Sequence, residues 1–528
     1  MNNEQLNSSY ITKVYLLDVP LESDYKNTLY FASETAQHNY FETCIVKSYT
    51  DFAYQRKDKL IRIPDIYDNI YHCNYVMYQN SNYNNKWFYC FIDKMEYISD
   101  GRTDVYITTD VMQTWAFDYT LKPSFIEREH TNNDTIGNNL IDEGLELGDY
   151  TCNGHHTDSN MDSLLSDLCY VIGSTIGTIL DGDKFPSVGG DVYNGIYSGV
   201  KYYRYDTPSS IDILLQMWAN KGQSDGTTGI FLAPKFLAPL NTQALEREVL
   251  SSNTTQNYSI TMSKNYGLNG YSPRNNKLKT FPFCYMLASN NQGGNAIYHY
   301  EDFSTSSCNF TVKGALAPGC SIRMTPNNFK GVSENDEESI NLGKFPICNF
   351  TTDMYTNWLT QNSVNLTTQT ATNLLQIGGG ILLLGSGSGA LAGGGMIANG
   401  LLGITNTMGE KRRASLVPPQ VNGNLNCGDV ITASSKNNFH FYNMSIKSQI
   451  AQTIDGYFDM FGYKVNAVKI PYSNHRERWW YTKTIDINLD GNIPNEDIQK
   501  IKDCYNNGIT FWKNASEIQN YSLSNNIV

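Results

Sequence analysis

Between Asp353 and Glu410 the chain runs for 56 residues without one charged side chain. The centre of that stretch, Leu374–Ile404, reads LLQIGGGILLLGSGSGALAGGGMIANGLLGI and holds twelve Leu or Ile and one Met among eleven glycines. A segment this apolar cannot stay exposed to water, because a contiguous apolar patch marks a partner or membrane site. About 18 uncharged apolar residues in a row would ordinarily read as a transmembrane helix. The glycines oppose that reading. At roughly 0.8–1.0 kcal/mol each relative to Ala, they cost a helix on the order of 10 kcal/mol. The Leu and Ile side chains return only about −5 kcal/mol of insertion free energy. One copy is therefore a poor resident membrane helix. The pattern fits a flexible apolar loop, sheltered first and inserted later, in several copies. The side chains expected to carry insertion are Leu374, Leu375, Ile377, Ile381, Leu382, Leu383, Leu384, Leu391, Met396, Ile397, Leu401, Leu402 and Ile404.

The remainder of the chain is of a different kind. Its 528 residues, 40% of them apolar and 37 of them Tyr, can build several packed cores and exclude a disordered chain. Abundant Asn, Tyr, Thr and Ser favour strands and turns over long helices. The formal charge of −13 excludes a protein that grips nucleic acid through clustered cations, and suits a surface that DNA slides past. Eleven cysteines with no CxxC give neither a disulfide framework nor a zinc ribbon, so reduced, buried thiols are expected. The opening MNNEQLNSSY carries no basic or apolar region, so no secretory signal is expected. A membrane-active loop without an export signal must reach its membrane by another route.

Local patterns predict strands at Ile11–Leu17, Trp87–Ile92, Val105–Thr109, Gly199–Tyr205 and Gly229–Ala233, and again from Phe439 through Trp479–Ile487. Short helices are expected around Ser209–Lys221 and Thr242–Leu250. A clear helix follows Pro494: Glu496 and Asp497 complement its N-terminal dipole, and Gly508 stops it. Within it Ile498, Ile501 and Tyr505 recur at helical spacing and should face the core. The acidic run Ser333–Ser339 reads as a solvated loop.

Tests for chemistry yield little. The run Asp486–Asp497 (DINLDGNIPNED) puts Asp486, Asn488, Asp490, Gly491, Asn492 and Asp497 at EF-hand positions. The aromatic, β-branched RWWYTKTI before it is a strand, where an EF-hand needs a helix, so a strand–turn–helix connection is preferred to calcium. His155 and His156, near Cys152 and Asp158, would point to opposite faces of an extended segment and cannot easily share one ion. A polar loop is expected there. Gly385, Gly387 and Ala390 satisfy G-x-G-x-x-A, but further glycines undermine the helix that a dinucleotide fingerprint requires. HExxH, G-x-S-x-G and Walker motifs are absent. Glu96, Asp100 and Asp104 are the carboxylates a glycosidase could use, and Trp479, Trp480 and Tyr481 could stack sugars. No cofactor is expected.

Several stretches resemble the distal tail-knob, or tail tube, protein of phi-29-like short-tailed phages of Gram-positive bacteria. They are Val14–Phe41, with LLDVPLESDYKNTLYF and AQHNYF; Ile107–His130, ITTDVMQTWAFDYTLKPSFIEREH; Asp459–Ile470, DMFGYKVNAVKI; and Gly491–Ile498 with NNGITFW downstream. They occur in family order, although the middle third offers few matching motifs. The resemblance implies a mainly β, multi-domain tube subunit that assembles as a hexameric ring, with a long inserted apolar loop and a C-terminal helix. It implies a tube domain built from residues 1–130 and 414–528, a middle knob region at 131–353, and the membrane-active loop at 354–413. It further implies a structural protein and no enzyme, assembled in the host cytoplasm and residing at the virion's tail tip. Its expected partners are five further copies of itself, other tail proteins, the host cytoplasmic membrane, and viral DNA passing through the lumen without specific binding. The loops would plug the bore, then penetrate that membrane as a pore for genome ejection. A soluble pore-forming toxin and a cell-wall-degrading tail enzyme are the competing readings.

Overall fold

The computed structural model describes residues 11–52, 59–80, 84–160, 167–174, 200–207, 227–240, 255–343 and 438–528. Short pieces at 192–193, 196–197, 210, 213–214, 345, 347–349 and 424–425 complete it. The insertion residues from Leu374 to Ile404 lie outside the described residues, as does the helix expected at Thr242–Leu250 and most of that at Ser209–Lys221. The chain divides into two compact units, both mainly β.

The first unit combines Met1–Leu147, Pro273–Leu278 and Gln449–Val528. Its main sheet is antiparallel, with six strands in the order Ile45–Phe52, Ile11–Leu17, Tyr75–Asn80, Lys86–Ser99, Arg102–Thr109, Leu60–Ile63. Successive strand residues point to opposite faces. Val14, Leu16, Val76, Tyr78, Phe88 and Cys90 enter one apolar cluster, whereas Leu17, Tyr75, Met77, Tyr89 and Phe91 enter another. The sheet is thus covered on both faces, which explains why these strands read as continuous apolar runs without alternation. The first cluster takes Ile501, Cys504 and Tyr505 from the helix Asn495–Asn507. The second takes Phe41 from the helix Glu34–Thr43, together with Trp479 and Trp512.

The strand expected at Ile11–Leu17 is observed with those bounds. Those expected at Trp87–Ile92 and Val105–Thr109 are the inner halves of a longer hairpin whose ends, Ser99 and Arg102, pair across Asp100–Gly101. Gly101 has φ of 100°, a positive φ at the second turn position that glycine adopts without a Cβ clash. The outer part of the hairpin carries Asp93, Lys94 and Glu96 exposed on one strand and the buried polar Thr103 and Asp104 on the other, so apolar pattern alone did not reveal it. A five-stranded sheet in the order Asn27–Leu29, Ile509–Trp512, Trp479–Asp486, Ser124–Glu129, Tyr463–Lys469 completes the unit's larger sheets.

Residues 273–278 are tied to this unit at nearly every position. Arg274 pairs with Asp459, Asn276 N–H donates to Asp134 at 2.9 Å, and Lys277 pairs with Glu143, which also meets Arg128. The helix Ser448–Phe461, in a region expected to be strands, turns Ala451, Ile454, Asp455 and Phe458 inward.

The second unit combines Gly148–Ser272 and Lys279–Ser448. One antiparallel sheet orders Tyr150–Thr157, His440–Ile446, Cys284–Ser289 and Asn295–Tyr298. Another is built on Thr255–Ser263, Ser307–Ala315 and Ile322–Phe329, with Val332–Glu334 and Ile340–Leu342 both pairing to the last. A third runs Lys201–Tyr205, Leu168–Ser174, Thr227–Pro234, Ile347–Asn349, Asn424–Leu425. Within Ser307–Ala315, buried Cys308, Phe310 and Val312 alternate with partly exposed neighbours, the period of a strand with one covered face.

Candidate functional site

The described strands on either side of the apolar stretch in the sequence are neighbours in one sheet. Ile347–Asn349 and Asn424–Leu425 form an antiparallel pair, with Cys348 opposite Leu425 and Asn349 opposite Asn424. Ile347–Asn349 is in turn anchored on Thr227–Pro234, through Gly229↔Asn349, Ile230↔Cys348 and Phe231↔Ile347. Residues 350–423 thus join two neighbouring strands of one sheet in the sequence. Among the described residues, no helix is long and apolar enough to cross a membrane.

The EF-hand-like residues diverge. Trp479–Asp486 is a strand and Leu489–Gly491 a second, short one, so the segment is a strand–turn–helix connection. Asp497 is buried and accepts from Trp115 Nε1 at 3.0 Å, while Asp490 projects into solvent 3.7 Å from Lys122. Asp486 pairs in the ladder with Phe125, and the Asn488 N–H donates to Ser124 Oγ at 2.8 Å. Asn492 follows Gly491 at the turn into the helix. Among the described residues, no group of three or more His, Cys, Asp or Glu side chains is arranged to hold a metal ion.

The polar loop expected at His155 and His156 is instead a strand, Tyr150–Thr157, paired with His440–Ile446. His155 Nε2 lies 2.9 Å from His440 Nδ1, and its ring stacks on Tyr442 at 4.7 Å between centroids. Cross-strand ring contacts stabilise a segment that its polar sequence alone left as a loop.

The three carboxylates considered for glycoside chemistry are engaged. Asp104 takes both Nε and Nη2 of Arg62, at 2.6 and 2.8 Å, and that guanidinium holds its carboxyl below the usual range. Glu96 is lowered by Lys94 and by the Tyr106 hydroxyl, and Asp100 accepts from Tyr97. A general acid needs a raised carboxyl, so Asp104 and Glu96 have the opposite electrostatics. Trp479, Trp480 and Tyr481 are buried, with Trp479 against Trp512 and Trp480 stacked on Phe511. They are core.

Two hollows in the first unit had no sequence signal beyond a cluster of Asn. One, of about 430 Å³, is walled mainly by aromatic and aliphatic side chains, Tyr30, Phe31 and Phe117 among them. The other, of about 320 Å³, is walled by Asn132, Asn133, Asn138, Asn139 and neighbouring polar groups. Tyr472 lines both.

Comparison with known proteins gives this architecture its relatives. Residues 10–120 match the family model of the caudoviral major tail protein N-terminus. Residues 241–526 match that of the Bacillus phage phi29 tail knob protein gp9 C-terminal domain. The tail knob protein gp9 of Bacillus phage B103 is 24% identical, the alignment covering 97% of each chain. That of Bacillus phage phi29 is also 24% identical, over 97% of this chain and 98% of its own. The fold is similar to that of the bacteriophage C1 tail knob protein gp12, with a TM-score of 0.64 at 13% identity, covering 98% of this chain and all of that one. Because the phi29 model alone spans more than half of the sequence, this chain belongs to the tail knob protein gp9 family.

Proposed function

We propose that this chain forms the distal end of a short phage tail as a homo-hexamer, and that its apolar loops first plug the bore and then open the host cytoplasmic membrane. As a tail knob family member it is a structural protein of the virion tail. In the proposed cycle it is assembled with other tail proteins in the host cytoplasm and performs no enzymatic chemistry. On host contact the loops leave the bore, and the genome passes through the pore they make. This route also explains how a membrane-active protein reaches a membrane from outside: the virion carries it.

One observation carries the reading. Ile347–Asn349 and Asn424–Leu425, which bracket Leu374–Ile404 in the sequence, pair with each other, so in the proposed cycle the bracketed segment changes place while that pair stays intact. Thirty-one extended residues reach about 100 Å, so a hairpin reaches roughly 50 Å. That exceeds a hydrocarbon core of about 30 Å. Backbone groups left unpaired in lipid are costly, so the inserted loops must close on one another as a bundle or barrel. The net charge of −13 keeps DNA from adhering to the conduit.

The experiment is dye release from liposomes, with electron microscopy of the same preparations. Wild type should release dye. Deletion of Leu374–Ile404 should leave rings intact and abolish release. Leu383→Asp should oppose insertion by about 2.5–3.5 kcal/mol per copy, hence about 15–21 kcal/mol at most for six. Rings of the deletion variant that release dye like wild type would end this reading.

A further inference from the structure

The polar hollow beside the strand Tyr463–Lys469 has a rigid wall and unused hydrogen-bonding groups. Its wall is the run 131–139, TNNDTIGNN, fastened by its own side chains. Thr131 Oγ1 donates to the Asn133 carbonyl at 2.9 Å, Asn133 Oδ1 accepts from Thr135 N–H at 3.0 Å, and Asn139 Nδ2 donates to the Asn133 carbonyl at 3.0 Å. The floor is equally fixed. Glu129, 1% exposed, pairs with Lys469 and accepts from Tyr472 N–H at 3.1 Å, while Lys469 Nζ sits 3.5 Å from the Tyr472 ring centre. Asn132 and Asn138 also line the hollow, both are exposed, and neither amide bonds to another described residue. Lys464 lines it as well and forms no ion pair among the described residues.

Across Tyr472 the aromatic hollow begins, where Tyr30 and Phe31 are partly buried and Phe117 is exposed. Free amides bind vicinal hydroxyls, since each offers two donors and an acceptor. Aromatic side chains offer apolar area for the C–H face of a sugar ring. A lipid chain would leave the amides unpaired, and a nucleic acid strand would need more cations than Lys464. We propose that these adjoining hollows form a binding site for a hydroxyl-rich glycan or polyol chain, with Asn132 and Asn138 holding its hydroxyls and the aromatic side chains its apolar face. The proposal is independent of the pore reading, because none of its residues lies in the apolar stretch.

The test is saturation-transfer NMR and calorimetry on the full chain with two probes, N-acetylglucosamine trimer and a glycerol phosphate hexamer. The probes share vicinal oxygens and differ in charge, so they distinguish a neutral from a phosphate-bearing source. Lys464→Gln should weaken only the phosphate-bearing probe. The double variant Asn132→Ala, Asn138→Ala should weaken whichever probe binds by roughly tenfold or more, as expected for the loss of two side-chain hydrogen-bonding groups. Both positions are exposed, so its thermal midpoint should match wild type. Absence of binding by both probes, or unchanged affinity in the double variant, overturns the proposal.

Discussion

Asp455 lies fully buried in the apolar stripe of the helix Ser448–Phe461, between Ile454 and Gly456. Its Oδ2 accepts from the Arg274 N–H at 2.8 Å, and its Oδ1 from the Asn275 N–H at 3.1 Å and Asn275 Nδ2 at 2.9 Å. A buried carboxylate so satisfied holds the segment 273–278 in place. Asp455→Ala should cost about 2–4 kcal/mol, because the stranded donors lose their partner. Urea unfolding followed by tryptophan fluorescence would measure this, and Asp455→Asn should recover part of the loss. His130 poses a different problem. It is 2% exposed; its Nδ1 accepts from the Tyr481 N–H at 2.8 Å, so its Nε2, 3.1 Å from the Asp459 carbonyl, must carry the proton. Burial, and then the Arg476 charge, hold its pKa well below the ordinary value. A depressed pKa gives stability that is present above about 6.5 and lost as pH falls toward the folded value. Asp110 and Asp459, both pushed up to about 6 chiefly by burial, act in the opposite sense: their contribution is full below about 3.9 and lost as pH rises through 6. Comparison of wild type with His130→Gln separates these effects. The variant should be about 1–2 kcal/mol less stable at pH 7, and the gap should narrow by up to about 2 kcal/mol at pH 5.

Among the elements, the helix Asn495–Asn507 was the most legible. Pro494 stands before it, Glu496 and Asp497 occupy its first turn, and Gly508 ends it with φ of 92°. Ile501 and Tyr505 are buried as their spacing requires, and Ile498 packs at the edge of the same cluster. Gly508 meets two demands at once. Its backbone lies where side chains are strained, and an added Cβ would collide with the ring and hydroxyl of Tyr481, itself buried. Gly508→Ala should therefore lower stability by about 1–3 kcal/mol. Asn, which tolerates positive φ elsewhere, should fail as well, because it brings the same Cβ. A thermal midpoint for each variant checks both statements. Two other helices were not legible. Ser448–Phe461 does carry inward residues at 451, 454, 455 and 458, but Asp455 and Gly456 interrupt the pattern. Glu34–Thr43 buries only Gln37 and Phe41; Gln37 is held by Gln113, whose carbonyl and side-chain oxygen accept from it at 2.8 and 2.9 Å. A helix covered through a buried amide shows no apolar stripe to find.

At the scale of the whole molecule, the proposed ring predicts the state of the protein in solution. Six copies can shelter their apolar loops against one another, and a lone subunit cannot. Light scattering at micromolar concentration should report a closed oligomer, by proposal a hexamer; a monodisperse monomer with the loop intact would count against the ring. The uncharged stretch, its glycine content, the β-rich composition and the capped C-terminal helix could all be read from residues within a few positions of one another. They depend on local propensity, charge and end-capping, which a short window contains. Which strands pair, and what each face touches, belong to the tertiary structure. The covering of the main sheet's two faces is completed by the helix Asn495–Asn507 and the pair Trp479 and Trp512, which return from the far end of the chain. Asp497 turns from a candidate ligand into the acceptor for Trp115 for the same reason. The strands that bracket the apolar stretch in the sequence, Ile347–Asn349 and Asn424–Leu425, are three and two residues long and carry no pattern of their own. Their pairing rests on the neighbouring strand Thr227–Pro234, more than a hundred residues earlier in the chain. Contacts made over such separations are chosen by the packing of the whole unit, so no local window of sequence contains them.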